Sequence, residues 1–522
     1  MHFAPRTLLA LLLTAVTTLA WAQDATPKPG GTLIVAMFDA VEHLNPAITT
    51  NGPVHAVADS VFNGLTYLDE DGEPQPDLAT AWRVSEDGRT YTFDLRQNVT
   101  WHDGEPFTAD DVAFTFEQVL LRYHTRTRGG LASILDTIET PDDHTVVFRF
   151  REPYGALLQR LHVTEAPILP EHVYGTGDVL THEANLAPIG TGPFRFERFV
   201  RDDRIELVRN EAYFRESLPY LDRVILRIIP NATTRMLALA QGEVDHVLGF
   251  PASEVARSEG DPNLNVATVP HSAGGSYCLF KVSFNLERAP LDDVAVRHAI
   301  AHAVNRDAFL ERVAFGQGKV ATGPISSDLA NLYTADVARY DYDPTLAARL
   351  LDEAGYTANA EGERLRFDML HFPMFSRHAE QLRADLAAVG ITLDLVSLDR
   401  AAYVSRVYGE RDFDLGFISS CNETDPSIGV SQAYVSSNIG AIPFSNAPAY
   451  RNAEVDALFA QAAGTVDPEA RRDLYAEVQH VLVDDLPYLW LVERRYHQAH
   501  APEVKGLAPW STAPFERAWL DR

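Results

Sequence analysis

Arg364-Leu-Arg-Phe-Asp-Met-Leu-His371, Arg377 to Val389, and Ile391-Thr-Leu-Asp-Leu-Val396 read as strand, helix and strand in succession. Gly390 stops the helix, since a residue without a Cβ ends it in the left-handed region without strain. Asp414-Leu-Gly-Phe-Ile418 is the next apolar strand, and Pro468 to Asp485 a helix before the long apolar strand Leu486 to Val492. Upstream, Asp343-Pro344 supplies a cap and first-turn pair, with Gly355 as the stop. A helix from about Asp292 buries Val296, Ile300 and Val304 at i, i+4 and i+8. Such alternation predicts an α/β sheet with helices on both faces.

The N-terminal half carries the same kinds of signal. Gly31 to Met37 reads as a buried strand, and Tyr91, Phe93 and Leu95 alternate with polar residues as a half-buried one. A turn is expected over Asp69-Glu-Asp-Gly72. Thr108 caps a helix with Asp110 and Asp111 at its positive end. His144 to Phe150, Arg204 to Val208 and Arg223 to Ile229 are strands, and Asn231 caps a helix running toward Gly242.

At 522 residues the chain exceeds one ordinary domain of roughly 100–200. Hydrophobic residues at 46% and charged residues at 22% are globular values. A formal charge of -29 repels phosphate backbones, which argues against a nucleic-acid partner. Two cysteines cannot make a disulfide scaffold or a four-cysteine zinc site. Only the N-terminal stretch approaches the ~20 apolar residues of a spanning helix. There Arg6, the apolar run Leu8 to Ala20 and Ala20-Trp-Ala22 form an export signal over residues 1–22, cleaved before Gln23.

Catalytic signatures are absent from the sequence. His298-Ala-Ile-Ala-His302 has the spacing of a zinc helix but lacks the Glu that metalloprotease chemistry needs, and reads as a partly exposed pair. Gly316-Gln-Gly-Lys-Val-Ala321 mimics a dinucleotide fingerprint but follows a helix, so a loop is expected. There is no G-x-S-x-G elbow and no phosphate-binding loop. Export permits a disulfide between Cys278 and Cys421, but spacing cannot bring them together, and two buried free thiols are the expectation. An exported binding protein without cofactor or metal fits better than an enzyme.

Eight segments carry a family resemblance: Pro76 to Trp82, Ser85 to Phe93, Trp101-His-Asp-Gly-Glu-Pro-Phe-Thr-Ala-Asp-Asp-Val112, Gly190-Thr-Gly-Pro-Phe194, Pro290 to Ile300, Tyr342-Asp-Pro344, Glu353-Ala-Gly-Tyr356 and Tyr450 to Leu458. Their order resembles family 5 of the extracellular solute-binding proteins, from about Gly30 to the C-terminus. The resemblance implies a periplasmic-binding-protein-like two-lobe α/β fold with an extra inserted domain. Domain I would be residues 30–66, 191–275 and 499–522, domain II 67–190, and domain III, the second ligand-binding lobe, 276–498. It also implies a monomer in the periplasm that traps a short peptide or peptide-like solute and delivers it to an ABC permease. The alternatives are a non-peptide solute (oligosaccharide, opine or metal chelate), an exported hydrolase, or a sensor or chaperone partner.

Site residues follow from the same resemblance. Thr50, Asn51 and Gly52 match a first-lobe loop that lines the family pocket. In the second lobe the loop Gly416 to Pro426 would supply a carboxylate for a peptide amino terminus, with Glu423 and Asp425 as candidates. Phe417 takes the place of the usual Trp, and Ser419 lies in the same loop. His371, Phe375 and Arg377 lie on a shortened loop that bears a carboxylate-binding Arg in the dipeptide binders. Tyr277 and Phe375 would supply aromatic walls.

Overall fold

The computed structural model describes residues 26–69, 72–269, 277–440, 444–507 and 514–522. The expected export signal over 1–22 and the middle of the Asp69–Gly72 turn lie outside them. The flanks of that turn, Thr66–Leu68 and Pro74–Pro76, pair antiparallel.

Three sheets organise the chain. The first has seven strands, in the order Asn265–Thr268, His497–His500, His246–Val247, Thr32–Met37, Arg223–Ile228, Arg204–Arg209 and Phe194–Val200. Thr32–Met37 runs parallel to both its neighbours, and the outer strands pair antiparallel. The second has six: Gly318–Val320, Tyr488–Arg494, Cys278–Phe284, Leu415–Cys421, Leu365–His371 and Ile391–Ser397. The third is a four-stranded antiparallel sheet of Ala79–Val84, Thr90–Leu95, Thr145–Phe150 and Leu135–Asp142.

Burial follows position in each sheet. Every residue of Cys278–Phe284, at the centre of the six-stranded sheet, is buried, as both-face coverage requires. Thr90–Leu95 alternates between half-buried and buried, matching its alternating sequence. The predicted helix ends also hold. Asp343 and Asn231 accept hydrogen bonds from Leu346 N–H and Thr234 N–H. Thr108 and Asp111 form a reciprocal capping box.

Two expectations are corrected. Gly318–Val320, read as loop, is an edge strand on Tyr488–Arg494. A Cβ at Gly318 would lie 2.3 Å from the Glu493 carbonyl oxygen, so only glycine permits that approach. Cys278 and Cys421, read as free thiols, form a disulfide. They face each other across antiparallel strands, next to the hydrogen-bonded pair in which Asn422 N–H donates to Tyr277 O. Their own position is therefore the non-hydrogen-bonded one, where opposed side chains lie closest. Sequence separation concealed a partnership that strand register creates.

The apolar cores divide the chain differently from the sheets. One cluster runs through the four-stranded sheet and one face of the seven-stranded sheet, from Leu33 to Leu520. A second draws only on residues from Tyr277 to Val492, around the six-stranded sheet. The four-stranded domain thus shares a core with the seven-stranded one, giving one lobe, and the six-stranded unit is the other. Arg495 and Tyr496 carry the chain back between the lobes, from Tyr488–Arg494 to His497–His500.

Candidate functional site

Among the described residues, the contacts between the lobes include two beside a cavity that the lobes leave between them. At one, Gly155 N–H donates to the Ala463 carbonyl at 2.9 Å. At the other, Arg126 reaches across to Glu423 at 2.5 Å. The cavity has about 730 Å³ and is walled by residues 123–154 of the first lobe and 427–464 of the second. That volume suits a small solute, for which sites of ~300–1,000 Å³ are usual.

Arg126 is placed by the helix Thr125–Leu131, whose N-cap His124 accepts from Thr127 N–H through Nδ1. Gly130 lets the helix lie against Arg160, because a Cβ there would come within 2.6 Å of the guanidinium. One terminal nitrogen of Arg126 pairs with Glu423 and the other with Glu165, each at 2.5 Å. The three side chains are nearly closed to solvent, at 13%, 9% and 1% exposure. Burial pushes the Glu165 carboxyl up, against the opposing pull of Arg126. Burial opposes the Arg126 charge as well, but the two carboxylates outweigh it and hold the guanidinium protonated. Glu423 has a φ of 53°, left-handed for a residue with a Cβ, at a cost of about 1–2 kcal/mol.

A polar chain runs behind this triad into the first lobe. Thr164 donates to Asp59 at 3.0 Å, Asp59 contacts His55 Nδ1 at 3.3 Å, and His55 Nε2 contacts the Thr49 carbonyl at 3.1 Å. Burial first, and then the Arg126 charge, push His162 down to about 3 and His124 well below its usual value. Both imidazoles are neutral there; among the cations acting on Glu165, Arg126 has the largest effect and Arg160 the next.

The expected site residues separate into groups. Glu423 lies beside the cavity but is neutralised by Arg126. Asp425 is structural: its carboxylate accepts from Ser427 N–H and Oγ–H at 2.8 and 2.7 Å, capping Pro426–Gly429, and pairs with Arg471 at 2.6 Å. Neither is an open counterion for a ligand amine. Phe375 and Phe417 pack with Phe280 and His378 in the second-lobe core, and Phe417 is fully buried. They are core aromatics because Phe417, on the strand Leu415–Cys421, and Phe375, in the turn Pro373–Phe375, both meet His378 of the covering helix Ser376–Ala387.

Arg377 is exposed, its guanidinium 4.7 Å from the Phe315 ring centroid, and does not form a clamp on the cavity. His371 is buried at a strand end against the Phe372 carbonyl. Ser419 accepts from Arg494 at 3.3 Å, and Tyr277 is buried beside the disulfide. Thr50, Asn51 and Gly52 are exposed at the start of Gly52–Ala58 and do not line the cavity. The first-lobe wall comes instead from the four-stranded domain. Arg126, Arg128, Glu152, Tyr154 and Asp456 were missed, and no local motif marks them.

His298 and His302 reach the Asp484 and Asp341 carbonyls and lean on Tyr340, as a partly exposed pair would. Among the described residues no cluster of three His, Cys, Asp or Glu side chains is arranged to hold a metal ion, and no helix is long and apolar enough to cross a membrane.

Two lobes with separate cores, an inserted third domain and a cavity between the lobes define a solute receptor of the periplasmic-binding class. The profile of the bacterial extracellular solute-binding proteins, family 5 Middle, matches residues 73–441, and the chain belongs to that family. Heme-binding protein A of Haemophilus influenzae is 30% identical over 509 residues, covering 92% of this chain and 91% of the relative. The dipeptide-binding protein of Escherichia coli is 30% identical over 528 residues, covering 95% of each. Among solved structures, the periplasmic binding protein DppA of Helicobacter pylori in complex with the peptide STSA superposes with a TM-score of 0.83 at 27% identity, covering 95% of this chain and 99% of that one.

Proposed function

We propose that the protein is exported to the periplasm, its N-terminal 22 residues being removed. There, as a monomer, it captures short peptides in the interlobe cavity and presents them to the permease of an ABC importer. It performs no chemistry on them. The domain boundaries expected from the resemblance, with the last one moved from 498 to the crossing at Arg495 and Tyr496, supply the moving parts: 30–66, 191–275 and 497–522 with 67–190 as one body, and 276–496 as the other. A solute that touches both walls of the cavity binds the closed arrangement better than the open one and so shifts the protein toward closure.

The observation that carries this reading is the interlobe cavity of about 730 Å³ whose two walls come from separately packed lobes. Peptide receptors among the relatives set the ligand class. The test is native mass spectrometry of the purified protein, followed by isothermal titration with peptides of two to five residues. A co-purified peptide, or saturable one-to-one binding with raised thermal stability, supports the proposal. A different released solute, together with silent peptide titrations, refutes it.

A further inference from the structure

The chemistry of the cavity wall is unevenly divided. The second-lobe wall directs its hydrogen-bond donors inward. The hydroxyl of Ser427 donates to Asp425 at 2.7 Å, and that of Ser431 to the Ser427 carbonyl at 3.2 Å. Asn438 donates an amide hydrogen to the Gln432 carbonyl at 3.2 Å. The two serine hydroxyls therefore offer the cavity oxygen, which accepts, and Asn438 adds its carbonyl oxygen beside one remaining amide hydrogen.

The charges lean the same way. Asp456 is half-buried and accepts one bond from Ser436 N–H. Glu152 on the opposite wall is exposed and has no ion-pair partner among the described residues. Arg126 is on the wall, but its cation is committed to Glu165 and Glu423. Among the described residues that leaves one uncommitted cation on the wall, Arg128, against two carboxylates, Glu152 and Asp456. Between these groups Ile134, Pro153, Ile428, Val435 and Phe459 form an apolar floor. An alkyl chain ending in a cation matches that pattern, with its stem on the floor and its head at a carboxylate.

We infer that the cavity selects donor-rich, positively charged solutes, and that among short peptides it prefers those with a Lys or Arg side chain. The peptide half of this rests on the function proposed above; the charge preference rests on the wall alone. The test is isothermal titration at low and physiological salt with Ala-Ala-Ala, Ala-Lys-Ala and Ala-Glu-Ala, and with spermidine and glutarate as non-peptide probes. Ala-Lys-Ala is expected to bind roughly tenfold more tightly than Ala-Glu-Ala, a difference of ~1.4 kcal/mol, and the ratio to narrow as salt screens it.

Glu152→Gln is exposed and unpaired, so it leaves the fold intact. It is expected to reduce the ratio about threefold, and adding Asp456→Asn to bring it near one. Equal binding of all three peptides, or a ratio unmoved in the double variant, overturns the charge preference and leaves the peptide reading standing. No peptide binding but spermidine binding over glutarate does the reverse. Glutarate binding as well as spermidine, or neither binding when no peptide does, overturns the inference.

Discussion

Replacing Arg126 with Met removes the one cation between two buried carboxylates and keeps most of the aliphatic volume. Glu165 and Glu423 then face each other with 1% and 9% of their side-chain surface exposed. Breaking a buried pair by deleting one partner costs ~3–5 kcal/mol, because the remaining charge is stranded in a poorly solvated place. Here two carboxylates are stranded, so the loss belongs at the upper end, against a total stability of ~5–15 kcal/mol. At ~2 °C per kcal/mol for a large domain, thermal unfolding should move down by ~10 °C. The triple variant R126M/E165Q/E423Q carries neither stranded charge and should recover more than half of the loss. The pH dependence has a definite sign. Burial already holds the Glu165 carboxyl above its ordinary value and losing Arg126 raises it further, so the folded variant binds a proton there more readily than its unfolded chain. The R126M deficit should therefore shrink as pH falls from 8 to 5. Calorimetry of the three proteins across that range is the assay. An R126M shift under ~1 °C, or a triple variant no better than R126M, refutes the claim that this ion pair ties the lobes together.

Three further outcomes follow from the scaffold. The disulfide closes a separation of 143 residues, for which chain entropy gives an upper value of ~5 kcal/mol. C278S/C421S should lose much of that in urea unfolding and become insensitive to dithiothreitol, and an unchanged midpoint would count against a formed bond. His102 accepts from Gly190 N–H through Nδ1 and so donates from Nε2 to the Gly192 carbonyl, which requires the neutral ring, and burial pushes it down to about 4. Its unfolded counterpart takes a proton near 6.5, so stability should fall by up to ~3 kcal/mol between pH 6.5 and 4, at ~1.4 kcal/mol per pH unit. That acid-limb slope should flatten in H102Q; a superimposable profile would be the wrong result. A Cβ at Gly190 would lie 1.9 Å from the Val61 carbonyl oxygen, whereas one at helical Gly129 meets open space. G190A should therefore give insoluble or strongly destabilised protein, and G129A a gain of up to ~1 kcal/mol, measured by urea midpoint; the reverse order would refute the packing argument.

The fold was legible where local chemistry is self-sufficient. Asp343-Pro344 announces a helix start because cap and first-turn residue act within one turn, and the helix does begin at Pro344. Trp101-His-Asp-Gly-Glu-Pro-Phe107 was readable as scaffold because its bonds are short-range or fall on other segments that carry the resemblance. Trp101 donates to Asp111, and His102 bridges Gly190 and Gly192. The Cys278–Cys421 bond was not legible, since it depends on a register set by the whole sheet. The cavity was less so. Arg122, Arg126 and Arg128 are chemically alike and lie within seven residues of one another. Arg122 turns to the Glu117 carbonyl at the surface, and Arg128 is exposed. Only Arg126 points where Glu165 and Glu423 converge, 39 and 297 positions along the chain, the latter by direct hydrogen bond. What distinguishes the three is the arrival of those carboxylates, which no window of sequence around residue 126 contains. The same event disqualifies Glu423 as an open anchor. A carboxylate in the right loop identifies a binding group only if its counterion is absent, and that counterion comes from the opposite lobe.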